Sequence, residues 1–161
     1  MTEPTFKPDM ARLVEAFDNN SGEGFLHYFL DRQSGEVLVV TAETLSAVED
    51  GDDPSTIEGE SPEELADALL VVNDTEDRYR VVEGEGSREP FKDMQDFTET
   101  VADRQLRYHL DTALNGNRPF RRFKDALVWD QAELDRWYAY RDAQQLERVR
   151  QWLRDEGLPD A

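Results

Sequence analysis

One stretch constrains this chain more than any other. It is Arg118–Leu153, RPFRRFKDALVWDQAELDRWYAYRDAQQLERVRQWL, which holds all three Trp residues. Its apolar groups recur at helical spacing, so it must bury a face against something. Pro119 suits the first turn of a helix, where its missing N–H is not needed. Phe120, Phe123 and Leu127 then form one stripe, with Arg121, Arg122 and Asp125 pointing away and Lys124 near its edge. Asp130 followed by Glu133 has capping-box spacing and predicts the start of a second helix. On that helix Leu134, Trp137, Tyr138, Val149, Trp152 and Leu153 share a face. Arg141 and Gln145 fall inside the same face, at about 340° and about 20° from Leu134 at 100° per residue. Polar groups in an apolar stripe must find partners or stay wet. Arg141 therefore reads in two ways: a stem packed on Trp137 with its head on a carboxylate, or an anion clamp aimed into a groove. A helix break near Ala143 would remove the question. Gly157 and Pro159 end the helix.

Upstream, the pattern changes period. Asp9–Phe17 reads as a short helix, broken at Asn19-Asn20-Ser21-Gly22. Residues 24–31 and 36–41 are rich in aromatic and β-branched residues around Gln33-Ser34-Gly35, which predicts a β-hairpin. Both faces of it are largely apolar, so both need cover. Residues 42–60 form an acidic stretch read as a solvated loop; between Glu43 and Glu64 there are nine acids and no base. Asp50-Gly51-Asp52-Asp53 lacks the spaced ligands and closing Glu of a calcium loop. Ser61-Pro62-Glu63-Glu64 is a compact helix start, and that helix runs to about Val72. A third strand is expected over 79–83, followed by a loop at Gly84 and Gly86. Ser87 and Asp103 each cap a further helix, the second closing at Asn115-Gly116-Asn117 with a left-handed cap signal.

Strands first and helices later predict an α+β fold. It comprises a small antiparallel sheet of three strands, a helix before them, one helix crossing between them, and a C-terminal four-helix subdomain. The 161 residues are expected to form a single domain, 1–161, with an acidic α/β part over 1–85 and a helical part over 86–157.

Charge is distributed unevenly. Residues 1–85 hold 22 acids and 5 bases, whereas residues 86–161 hold 15 acids and 13 bases. The net charge of −19 opposes non-specific binding to nucleic acid or anionic membranes. Acid excess with scarce Lys is also what a salt-adapted cytoplasm would favour, where a Debye length of about 3 Å at molar salt tames self-repulsion. No apolar run is long enough for a membrane span, and no secretory signal stands at the start. The chain has no Cys, hence neither disulfides nor thiolate chemistry. A cytoplasmic protein fits these features.

Several phrases together resemble a known family. They are Asp31 with Ser34-Gly35-Glu36, Arg78-Tyr79, Phe120-Arg121-Arg122-Phe123-Lys124-Asp125, Trp137-Tyr138, Arg141-Asp142 and Val149-Arg150-Gln151-Trp152-Leu153. Over roughly residues 24–157 the chain resembles uncharacterised protein family (UPF) number 0158, a bacterial family of unknown function. The resemblance implies a fold and a kind of host; it supplies no catalytic residues.

Nothing in the chain matches a phosphate loop, a nucleophile elbow or a zinc-protease motif. No catalytic, metal or cofactor residues are assigned, and no cofactor is expected. The leading expectation is a non-enzymatic binding or regulatory protein. It would act through protein contacts, or self-association, of its Arg- and aromatic-rich last helices. The candidate contacts are Arg118, Arg121, Arg122, Lys124, Arg136, Tyr140, Arg141 and Arg148. A second reading gives the Arg118–Lys124 cluster to phosphate or nucleic acid, with Trp129 or Tyr140 stacking on bases. A third is an enzyme using His27 or His109 with Arg141.

Overall fold

The computed structural model describes residues 5–19, 25–51 and 61–160. Among these, seven helices and three strands divide between two compact units: Met1–Gly84 with Val149–Ala161, and Glu85–Arg148.

The first unit is built on a three-stranded antiparallel sheet of order β2-β1-β3. The central strand β1 (Leu26–Asp31) pairs with β2 (Val37–Thr41) on one side and β3 (Tyr79–Val82) on the other. The register sets Leu30 opposite Val37, and Tyr28 opposite both Val39 and Val82. Side chains alternate between faces, so Tyr28, Leu30, Val37 and Val82 share one face. They pack with Leu13, Ala16 and Phe17 of α1 (Met10–Asp18) and with Val149 and Leu153. On the opposite face Val40 packs with Val48 of α2 (Ala42–Glu49) and Ala68 of α3 (Pro62–Val72). His27 lies on that second face and stacks on Phe29, ring centroids 6.4 Å apart.

One expectation is corrected here. The first part of the acidic stretch is helical: α2 occupies Ala42–Glu49, where a solvated loop was expected. Thr41 caps it by accepting from the Thr44 N–H, and Thr44 and Val48 are buried. So, among the described residues, two helices and not one lie between β2 and β3. The stripe was hard to see because half of it is a threonine. Residues 52–60 and 20–24 lie outside the described residues, and with them half of the Asp50-to-Asp53 run and most of the Asn19-to-Gly22 break.

Asp31 organises the hairpin turn. Its carboxylate accepts from Gln33 N (2.9 Å), Ser34 Oγ (2.9 Å), Arg78 Nε (2.9 Å) and Arg78 Nη2 (2.8 Å). Burial alone would raise the Asp31 pKa, but these donors outweigh it and bring it from 3.8 down to about 2. Gly35 follows at φ +90°, and a Cβ there would run into the Lys7 carbonyl. Backbone bonds from Lys7 N to Ser34 O and from Asp9 N to Gly35 O, both 3.0 Å, hold that segment against the turn.

The second unit contains α4 (Arg88–Glu99), α5 (Arg104–Leu114), α6 (Pro119–Leu127) and the part of α7 (Gln131–Asp155) up to Arg148. Its core is an aromatic knot. The Phe97 ring lies 6.3 Å from Phe123 and 5.3 Å from Trp137, while Phe123 and Trp137 are 5.0 Å apart, all edge-on. Asp103 caps α5 by accepting from Gln105 N and Leu106 N. Ser87 makes no side-chain cap bond. The left-handed residue expected within Asn115-Gly116-Asn117 is instead Arg118, at φ 53° and ψ 55°. Arg118 stands directly before Pro119, where the right-handed helical region is disfavoured. Helix α7 is continuous through Ala143, so the break considered there is absent. Gly157 at φ +75° ends it, with Leu158 N donating to Leu153 O at 2.9 Å.

Two outcomes are expected for the hairpin. Because the folded Asp31 pKa lies below the unfolded one, its stabilisation is present above about pH 4 and drains away toward pH 2. The full effect is about 2 kcal/mol, and Asp31→Asn should remove most of it in urea melts at pH 7 while flattening that acid limb. Gly35→Ala should lower stability by ~2 kcal/mol or more, since it combines a positive φ with a backbone clash.

Candidate functional site

The sequence from Arg104 to Lys124 carries six basic residues (Arg104, Arg107, Arg118, Arg121, Arg122, Lys124) against one acid, Asp111. That is a local net charge of +5 in a chain of −19. It folds as the α5–α6 hairpin, the apolar residues Leu110, Ala113, Leu114, Phe123 and Leu127 turning inward. The basic residues lie on the exposed remainder of both helices. Among the described residues none of the six has a carboxylate within ion-pair distance. The Lys124 ammonium lies over the Tyr138 ring, 5.7 Å from its centre.

A groove of about 420 Å³ lies along this hairpin, lined by His109, Thr112, Ala113, Arg122, Asp125, Ala126 and Trp129. A second groove of about 340 Å³ shares His109, Ala126 and Trp129 and reaches Asp103 and Asp130. Trp129 follows the last turn of α6 and is 92% exposed. Among the described residues no other ring or cation stacks on it.

The other candidates named from the sequence have partners within the protein. Arg136 makes two bonds to Glu133 (3.0 and 2.8 Å) and one to Thr100 Oγ1 (2.8 Å), with its guanidinium over the Phe97 ring. Tyr140 is half-buried against Phe97 and Trp137, and burial raises its pKa. Arg141 is exposed. It pairs with Asp142 at 3.3 Å and stacks on Tyr138 at 5.0 Å, beside a cavity of about 170 Å³ floored by Met94, Phe123 and Trp137.

Arg148 is the centre of a clamp. It bonds Glu85 through Nε (2.6 Å) and Nη2 (3.0 Å), and Asp93 through Nη1 (2.8 Å). Gln145, one of the two polar residues in the apolar stripe, is buried and donates to Glu85 at 3.2 Å. Two carboxylates thus share one cation. Burial, helped by Glu85, raises the Asp93 pKa in spite of Arg148. For Arg148 burial works to lower the pKa, and the two carboxylates more than reverse it.

His27 belongs to the sheet unit and His109 to the helical unit. Among the described residues no group of three His, Asp or Glu is arranged to hold a metal ion, and no helix is long and apolar enough to cross a membrane.

Arg104, Arg107, Thr112 and Asp125 are exposed on the same hairpin and lie outside the candidate residues expected from the sequence. The signal was present: Arg104 and Arg107 are three apart and outside the Leu106–Leu110 stripe, so they share one solvent face.

The chain belongs to the uncharacterised protein family UPF0158, whose profile matches residues 5–160. A UPF0158 protein of Pseudomonas aeruginosa is 29% identical over 153 residues, covering 95% of this chain and 85% of that relative. No solved structure matches the chain.

The clamp and the exposed indole should behave oppositely in chemical denaturation. Arg148→Ala leaves two nearly buried carboxylates unpaired and is expected to cost ~3 kcal/mol, whereas Trp129→Ala should change stability by less than ~0.5 kcal/mol. Asp93→Asn keeps an acceptor for Arg148 and removes the surplus charge. Its stability at pH 7 should stay within ~1 kcal/mol of the parent or exceed it.

Proposed function

We propose that this is a non-enzymatic binding protein whose working surface is the basic, aromatic face of the α5–α6 hairpin, and that its partner there is an anionic macromolecule. One observation carries the reading. In a chain with twice as many acids as bases, six exposed cations lie along one helical hairpin with no carboxylate partner among the described residues, and one of them, Arg122, lines a groove with the bare Trp129. Most surface arginines in such a chain would be drawn to nearby carboxylates, as Arg136, Arg141 and Arg148 are. Leaving Arg118, Arg121, Arg122 and Lys124 unneutralised raises the local positive potential that steers an anion inward. Guanidinium groups suit carboxylate and phosphate oxygens alike through paired N–H donors.

Protein contact through all the last helices draws less support. Arg136, Tyr140 and Arg148 are committed to the helical unit's own core and clamp. The cytoplasm is the setting in which we place this activity, on the absence of Cys.

Heparin affinity chromatography of the full chain at low salt tests the reading. The parent protein should be retained despite its net charge and elute as salt rises. The triple substitution Arg121→Glu, Arg122→Glu, Lys124→Glu should flow through with an unchanged melting curve. A parent protein that also flows through at low ionic strength would defeat the proposal.

A further inference from the structure

Resting on that reading, we infer that the partner is single-stranded nucleic acid, held with one base stacked on Trp129 in the α5–α6 groove and its phosphates on Arg122 and the neighbouring guanidiniums. The groove offers three things at once. The indole of Trp129 is a flat, exposed platform, and every base has a face to lay on it. Arg122 lines the same groove, with Arg118 and Arg121 next to it in sequence at the start of α6. Thr112, His109 and Asp125 complete the lining; the Thr112 hydroxyl donates to the Tyr108 carbonyl at 2.9 Å and so offers an acceptor, and with the imidazole and the carboxylate it makes a mixed polar set that suits the edge of a base. The groove's volume of about 420 Å³ falls in the range of pockets that hold small ligands, so a nucleotide unit fits it.

Other polyanions use less of this equipment. A duplex keeps its bases stacked on one another, which leaves Trp129 nothing to stack on. An acidic peptide brings carboxylates for the guanidiniums, but its side chains supply few flat rings to lay on Trp129. The overall charge of −19 weakens encounter without forbidding it. Beyond the Debye length, about 8 Å at physiological ionic strength, the distant acids are screened while Arg122, in the groove itself, is not. Salt sensitivity follows the number of phosphates met, with a logarithmic slope of roughly −0.7 for each on a single strand. Three or four contacts give a slope of about −2 to −3.

Tryptophan fluorescence of the full chain provides the test. Trp137 is 6% exposed and Trp152 half-buried, so quenching by a ligand at the hairpin reports on Trp129. The titrants at low salt are a twelve-nucleotide oligouridylate, its deoxy counterpart, inorganic polyphosphate and polyglutamate. We expect quenching by the oligonucleotides and weaker, unquenched binding of the other two, followed in parallel by anisotropy of labelled ligand. Trp129→Ala should weaken oligonucleotide binding about tenfold while leaving polyphosphate binding unchanged. The ribo and deoxy arms identify which sugar is preferred, and quenching by either supports the inference. Equal affinity for polyphosphate, or an unchanged oligonucleotide affinity in Trp129→Ala, would overturn base stacking and leave the anionic-surface reading standing. Tightest binding by polyglutamate would replace nucleic acid with an acidic protein. Binding of none of the four would remove both readings together.

Discussion

Positive charge is the scarce material in this protein. With 37 acids and 18 bases, the disposition of each guanidinium decides both which parts hold together and which part can meet an anion. Arg148 illustrates the first use. It gathers Glu85 at the beginning of the helical unit and Asp93 on α4, two carboxylates whose side chains are each 7% exposed. Without that guanidinium two like charges would face each other nearly out of water. Arg78 performs the same service for Asp31, tying β3 to the hairpin turn. Arg136 does so for Glu133 at the start of α7.

The two buried aspartates show why the share of a cation matters more than its presence. Asp31 has the Nε and Nη2 of Arg78 to itself and also accepts a backbone N–H and a hydroxyl. Donors overwhelm the desolvation penalty and its pKa falls. Asp93 has only one arm of a guanidinium whose other donors serve Glu85, so burial prevails and its pKa rises. Acid therefore weakens the hairpin through one aspartate while relieving the helical clamp through the other.

The α5–α6 hairpin stands apart from this pattern. Its cations are not consumed in staples, and its aromatic residues are not all consumed in the core. Tyr108 is 68% exposed and Phe120 44%, beside Trp129. Arg118 adds a backbone in the left-handed region at the entrance to α6, a conformation that costs free energy for a non-glycine residue. Packing of Phe123 and Leu127 into the aromatic knot holds α6 in place, and Trp129 lies just beyond its last turn.

Local chemistry was legible in the chain to the extent that it acts over a few residues. The Ser61 and Asp103 caps, the strand alternation around Gln33-Ser34-Gly35, the Gly157 stop and the polar Gln145 inside an apolar stripe all follow from the neighbouring residues. So does the class, strands gathered early and helices late. Helix α2 escaped because a buried threonine, Thr44, supplies part of its inner face, and no sequence period distinguishes a buried hydroxyl from a wet one. The left-handed residue is Arg118 rather than one of Asn115-Gly116-Asn117, a placement that no short-range signal in the chain announces. Which arginines are staples and which are bare was decided only by folding. Arg148 and Arg122 are alike as residues, and what separates them is a pair of carboxylates 55 and 63 positions away that the tertiary structure brings to Arg148 alone. Charge pairing depends on distance in space, and a linear chain states composition and period but not distance.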